Sequence, residues 1–188
     1  MTIVQGNSIE CAPRIRTSPI SVIAWGFMAG LAGTIAMDLT MAGGLYALGL
    51  PADTCYRTIG STVAHFFHLF GLHLVGEFAL GASAYHLIGP LLGSFYGLIV
   101  SQVSTLQRTS LKKALLYAVL YAEIVSQLIL IMVPVLLRMP AQEAILWFAG
   151  SSVLHAIWGV VMGSSVNYLV QQRVPITKQD RNARQGEI

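Results

Sequence analysis

Residues 25–48 read WGFMAGLAGTIAMDLTMAGGLYAL, an apolar stretch that carries a single carboxylate, Asp38. About twenty consecutive apolar residues are enough for a helix to cross a lipid bilayer. Gly26, Gly30, Thr34 and Asp38 recur every four residues, so they share one face of that helix. Small side chains let a second helix approach closely, and a carboxylate within a span is costly unless it faces protein or water. The stretch therefore predicts a membrane-spanning helix whose small and polar face points into a helix bundle.

The composition of the whole chain points the same way. Of its 188 residues 55% are hydrophobic and 10% are charged, whereas a soluble domain has roughly 25% charged residues. Its mean hydropathy is +0.67. The formal charge of +3 comes from basic residues spread over short loops and tails rather than gathered on one helix. A nucleic-acid site needs such a basic patch, so we expect an integral membrane protein that does not bind nucleic acid.

Four apolar segments predict four membrane spans within a membrane domain of residues 19–170. The predicted spans are residues 20–48, 74–103, 114–137 and 144–170, and polar tails cover residues 1–18 and 171–188. Residues 51–73 are too polar to span and too apolar for a free loop, which predicts a short amphipathic helix at the membrane surface. We therefore expect an all-α fold: an integral membrane four-helix bundle with a surface helix between spans 1 and 2.

The Lys and Arg residues predict the orientation of the bundle. Four spans place both termini on one side, and nine of the eleven basic residues lie there. These nine are Arg14, Arg16, Arg108, Lys112, Lys113, Arg173, Lys178, Arg181 and Arg184, while Arg57 and Arg138 lie on the other side. Cytoplasmic loops carry the excess of positive charge, so both termini are predicted to be cytoplasmic in a multi-pass protein of the cell inner membrane.

Each predicted span contains one ionisable residue well inside it. In chain order these residues are Asp38, His86, Glu123 and His155. Ionisable residues at such depths are costly, and they often mark ion pathways. Asp38 and Glu123 are therefore candidates for a proton or cation site. The alternative is that each carboxyl group only hydrogen-bonds to a Ser, Tyr or His neighbour. The alternation of acid and histidine is also compatible with an internal repeat of two hairpins of like orientation.

Glycines follow both of these histidines at helical spacing. Neutral imidazole is an axial ligand for haem iron, and a flat macrocycle needs small residues beside it. His86 and His155 are thus candidates to hold haem or another tetrapyrrole between the second and fourth spans. The alternative is that both histidines make interhelical hydrogen bonds and that glycine only permits close packing. The candidate packing glycines are Gly26, Gly30, Gly89, Gly93, Gly159 and Gly163.

A second group of histidines lies between the first two spans. His65 and His68 share a helix face, His73 follows, and the acids Asp53 and Glu77 are near in sequence. Such a set can bind zinc or copper. The alternative is that these histidines lie on a surface helix at the level of the lipid headgroups.

No motif of covalent or metal-dependent catalysis is present. The chain contains no CxxC pair, nucleophile elbow, phosphate-binding glycine loop or HExxH motif. Cys11 and Cys55 are predicted on opposite sides of the membrane, so they cannot pair with each other. An enzyme is therefore the less favoured interpretation.

Three short motifs carry a resemblance to a known family. GLAGTIAMD in the first span, HLIGPLLG in the second and HAIWGVVMG in the fourth resemble those of the YagU-like group of small bacterial inner-membrane proteins. The resemblance implies four spans, membrane location and a bundle architecture. The function of that group is largely unknown, so the resemblance implies no activity.

Three functions are compatible with the sequence. The favoured one is a non-catalytic accessory or scaffold subunit of a membrane complex, with other membrane subunits or a second copy of the chain as partners within the lipid bilayer. The second is a proton- or cation-linked transport component that uses Asp38 and Glu123. The third is a haem- or tetrapyrrole-binding subunit that uses His86 and His155.

Overall fold

The computed structural model describes residues 19–107 and 109–173, and these residues form helices and no strand. The helices are α1 (Pro19–Ala47), α2 (Thr54–His68), α3 (Glu77–Gln102), α4 (Ser104–Gln107), α5 (Leu111–Leu130), α6 (Met132–Leu136) and α7 (Ala141–Arg173). Four segments are long and apolar enough to cross a membrane: Ile20–Ala47, Glu77–Gln102, Leu111–Leu136 and Ala141–Gln172. The predicted all-α fold with four such helices is confirmed. Residues 1–18 and 174–188, most of the two predicted tails, lie outside the described residues.

The four long segments form two helical hairpins that meet through α1 and α7. In the first hairpin α3 packs antiparallel to α1, and in the second α7 packs antiparallel to α5. We call the end of the bundle where α1 begins and α7 stops the terminal end. The opposite end, where α2 lies, is the α2 end.

Glycine brings α1 and α3 into backbone contact. A Cβ atom on Gly30 would lie 2.6 Å from the carbonyl oxygen of Gly89, and one on Gly26 would lie 3.1 Å from the Cα atom of Gly97. Gly93 faces both Gly26 and Gly30. The four-residue repeat of glycine on both helices removes the side chains that would hold the backbones apart.

The second hairpin uses alanine against glycine. Ala118 and Ala122 on α5 are fully buried. They face α7, where a Cβ atom on Gly159 would lie 2.8 Å from the Cα atom of Val119 and one on Gly163 would lie 2.5 Å from the Cβ atom of Ala118. The two hairpins thus achieve close packing with different small residues.

The terminal half of the bundle holds the packed core. Trp158 on α7 is 2% exposed, and its indole Nε1–H donates to the carbonyl oxygen of Gly30 on α1 at 3.0 Å. Tyr121 on α5 donates its hydroxyl to the carbonyl oxygen of Leu92 on α3 at 2.8 Å, and its ring lies 5.2 Å from that of Tyr96. These side chains join the two hairpins, so the four helices form one bundle at this end.

The helix predicted between the first two spans is present as α2, and it packs against α3. Gly60 on α2 contacts the backbone carbonyl of Glu77, and Gly81 on α3 contacts the backbone carbonyl of Tyr56. These contacts run antiparallel, so the first two turns of α2 lie along the flank of α3 and not across the end of the bundle. The paired glycines allow this backbone contact with a long helix, and the place of α2 at the membrane surface stays a prediction.

The third apolar segment is a single candidate span built from two helices. α5 ends at Leu130 and α6 begins at Met132. Pro134 has no N–H to bond to the carbonyl of Leu130, which accounts for the interruption. The chain then turns at Arg138, whose φ of 48° is left-handed.

Candidate functional site

Three side chains from three helices meet in the first hairpin. Asp38 lies on α1, His86 on α3 and Tyr56 in the first turn of α2. The Tyr56 hydroxyl lies 2.6 Å from Asp38 Oδ1, and His86 Nε2 lies 3.0 Å from Asp38 Oδ2. The two carboxylate oxygens of Asp38 thus have different partners, and we call the three residues the Asp38 cluster.

Hydrogen bonding restricts where the protons of this cluster can lie. His86 Nδ1 lies 2.9 Å from the carbonyl oxygen of Ala82, which can only accept, so Nδ1 carries a proton. The contact between His86 Nε2 and Asp38 Oδ2 then needs one further proton, on either the imidazole or the carboxyl group. The pair is therefore an imidazolium facing a carboxylate, or a neutral imidazole facing a carboxylic acid, and moving one proton interconverts them.

Tyr56 holds the other carboxylate oxygen as a hydrogen-bond donor. Burial raises the pKa of its hydroxyl, and the hydrogen bond to Asp38 raises it further. The phenol therefore stays protonated at neutral pH. The Tyr56 ring also lies 5.5 Å from Tyr85 and 6.1 Å from His86, so aromatic contacts position it beside the carboxylate.

The Asp38 cluster lies far from the helix ends, yet it is open on one side. Asp38 lies nine residues before Ala47, and His86 lies nine residues after Glu77. At 1.5 Å per residue, both are about 13 Å from the α2 end of their helices. The His86 side chain is nevertheless 44% exposed, and that of Asp38 is 23% exposed.

The second hairpin carries its own polar cluster. Gln127 Nε2 donates to Ser152 Oγ at 2.9 Å and contacts Glu123 Oε2 at 3.2 Å. Gln127 Oε1 is buried without a hydrogen-bond partner among the described residues. The two acids predicted to act together, Asp38 and Glu123, thus belong to different hairpins and have different partners.

The two histidines predicted as axial ligands lie in different environments. α1 packs against both α3 and α7, and so lies between the two helices that carry them. His155 lines a large cavity between the hairpins, whereas His86 is not among the residues that line it. The structure does not bring His86 and His155 around a common space, so the haem hypothesis stays a prediction without a geometric basis.

The three histidines of the metal hypothesis are only partly gathered. His68 and His73 have ring centroids 4.8 Å apart, while His65 Nδ1 bonds to the carbonyl of Ser61 at 2.8 Å. Within residues 19–107 and 109–173, no three His, Cys, Asp or Glu side chains are placed to hold a metal ion. Two of the three histidines proposed to bind a metal thus lie close together, and the described residues place no third ligand beside them.

Two residues of these sites were not singled out from the sequence. Tyr56 completes the Asp38 cluster, and Trp158 joins the hairpins. The available signal for Tyr56 was its position four residues before Gly60, on the helix face that packs against α3. Trp158 offered no comparable signal, because an apolar helix accommodates tryptophan on any face.

The comparisons with known proteins assign no relative. No family model matches the chain, and neither the curated proteins nor the solved structures contain a match.

Proposed function

We propose that this chain is a non-catalytic subunit of a membrane complex whose partner covers the open side of the Asp38 cluster. The observation that carries the proposal is the exposure of His86, at 44%, on a helix long and apolar enough to span a bilayer. About 13 Å from the helix end lies within a hydrocarbon core of roughly 30 Å. Ionisable groups at this depth normally face protein or water and not lipid.

The surroundings of His86 favour a protein partner. Ser83 and Leu87 flank it on the same exposed side of α3, and Leu87 is 60% exposed. Ser83 is small and polar, and such residues on a spanning helix are typical of helix–helix contacts. A membrane-spanning helix of another subunit, or of a second copy of the chain, would shield the histidine and complete its polar environment.

Photocrosslinking tests this proposal. With a photoreactive amino acid at position 83 or 87, we expect a protein adduct after illumination of native membranes. At position 128, where Leu128 is 71% exposed on the other hairpin, we expect lipid adducts only. An adduct of twice the chain's mass would identify the partner as a second copy. Lipid adducts alone at positions 83 and 87 would refute the covered face.

A second candidate function is proton-linked transport. It is favoured by the single proton that Asp38 and His86 must share, because a site that binds one proton in two arrangements can exchange it. In this case water, and not a partner helix, would reach the open side of the cluster. The crosslinking result separates the two functions. A protein adduct supports the subunit, whereas transport predicts neither protein nor lipid adducts at positions 83 and 87, because water would fill the open side.

We further propose that both termini are cytoplasmic and that the membrane is the cell inner membrane, because nine of the eleven basic residues lie in the two tails or in the sequence that links the second and third apolar segments. Membership of the YagU-like group is likewise proposed on its three motifs alone.

Cys55 is a poor topology probe, because burial raises the pKa of its thiol and thereby slows its reaction with maleimides.

An introduced cysteine gives a clearer topology test. Leu72 is 52% exposed in the connection between α2 and α3. In a Cys55→Ser background, we expect Leu72→Cys to react with an impermeant maleimide in intact spheroplasts, while Cys11 reacts only after the membrane is opened. The reverse pattern would invert the proposed orientation.

A further inference from the structure

The α2 half of the bundle contains a partly open cavity that the proposed subunit role does not use. Its volume is about 830 Å³, and α1, α2, α3, α5, α6 and α7 all contribute to its walls. Trp158 and Met37, part of the packed core, lie on its inner side. Cavities of about 300–1,000 Å³ with mainly apolar walls are typical of small-molecule sites.

The chain does not fill this space with its own side chains. Gly44 lines the exposed edge of the cavity, and a Cβ atom built there would meet nothing within 4 Å. Protein interiors rarely keep voids larger than a water molecule. Because this apolar space is also partly open at the surface of the bundle, an apolar molecule can enter and fill it.

His155 adds a polar requirement. Its Nδ1 lies 2.7 Å from the carbonyl oxygen of Ser151, so Nδ1 carries a proton, and in the neutral imidazole Nε2 is then an acceptor. Nε2 has no hydrogen-bond partner among the described residues. Thr34 and Thr62 line the cavity but donate their hydroxyl protons to carbonyls of their own helices. The Tyr85 hydroxyl and the Trp147 indole N–H also line the cavity and have no hydrogen-bond partner among the described residues, so the wall offers donors as well as the His155 acceptor.

We propose that the cavity binds an amphiphile whose apolar body fills the space and whose hydroxyl group donates a hydrogen bond to His155 Nε2. Isoprenoid quinols and acylglycerols share this chemistry, and both occur in membranes. This site does not depend on the proposed partner, because the Asp38 cluster and the cavity use different side chains.

Tryptophan quenching by brominated ligands tests the site. In a Trp25→Phe background the remaining tryptophans, Trp147 and Trp158, both line the cavity. We expect a bromoundecanol to quench them at about five- to tenfold lower concentration than its methyl ether, which cannot donate a hydrogen bond. His155→Phe should abolish this preference, and His155→Gln, which keeps an acceptor, should retain part of it.

Matched variants separate the cavity from general partitioning into detergent. His65 makes the same type of bond to its own helix and does not line the cavity, so His65→Phe should leave the preference intact. Gly44→Leu should fill the cavity and weaken binding of both probes at least tenfold. Gly43→Leu, next to it but outside the lining, should not. Equal quenching by alcohol and ether, or equal effects of the two glycine variants, would overturn the proposal.

Competition identifies the source of the hydroxyl group. A benzoquinol with a decyl tail and dioctanoylglycerol should each be tested for displacement of the bromoundecanol. Displacement by the first would assign the site to quinols and displacement by the second to acylglycerols. If neither displaces the probe, the proposed ligand chemistry is wrong.

Discussion

Replacement of Gly93 by alanine is expected to lower the free energy of unfolding by at least about 2 kcal/mol, because overpacking a close contact costs about 1–3 kcal/mol and here the obstacle is backbone. A Cβ atom at this position would lie 2.7 Å from the Cα atom and 2.9 Å from the nitrogen of Gly30. It would also run into the carbonyl oxygen of Gly26. No rotamer change relieves such contacts, so α1 and α3 must move apart.

Gly43→Ala provides the matched control on α1. A Cβ atom there would meet nothing within 4 Å, and alanine is favoured over glycine within a helix by about 1 kcal/mol. The same substitution should therefore have opposite signs at the two positions. Thermal unfolding in detergent, followed by size-exclusion chromatography, measures both. Equal melting temperatures for the two variants would show that α1 and α3 are not in backbone contact.

Trp158→Ala is expected to have the largest effect of any single truncation, about 3–5 kcal/mol. The indole is 2% exposed, packs on Gly33 and donates to the carbonyl oxygen of Gly30. Trp158→Phe should cost less than Trp158→Ala. Its cost should exceed that of the lost ring area by about 1 kcal/mol, because the carbonyl oxygen of Gly30 is left without a donor. Truncation would also open the inner side of the cavity and separate the hairpins.

Trp25 is the control for this prediction. It is 38% exposed near the terminal end of α1, so Trp25→Ala should change the stability by about 0.5 kcal/mol or less. Unfolding of the three variants by a graded denaturing detergent would rank them. A loss for Trp25→Ala as large as that for Trp158→Ala would mean that Trp158 does not join the hairpins.

Much of the fold was predictable because the relevant signals are local. Hydropathy over about twenty residues identifies a helix able to span a bilayer, and the predicted spans agree with the four apolar helices to within a few residues. Glycine at four-residue spacing marks a face for close packing, and Gly26 and Gly30 do lie where α1 contacts α3. Neither signal requires knowledge of where any other helix lies.

The sequence could predict which residues belong to the candidate sites, but not how these residues are arranged. The sequence identified Asp38, His86, Glu123 and His155 as ionisable residues within spans, but periodicity along a helix does not specify the rotation or register of its neighbour. Those quantities depend on which backbones can approach closely. The rotation and register of the helices place His86 against Asp38 and leave His155 facing a cavity.

The sequence by itself determined the number of apolar helices, their limits and their small-residue faces, because each follows from side-chain size and polarity within one segment. The tertiary structure alone decided that Tyr56 joins Asp38. Gly60 and Gly81 let α2 lie directly on the backbone of α3. The segment whose polarity predicted a place at the membrane surface therefore delivers a hydroxyl to a carboxylate about 13 Å from the end of α1.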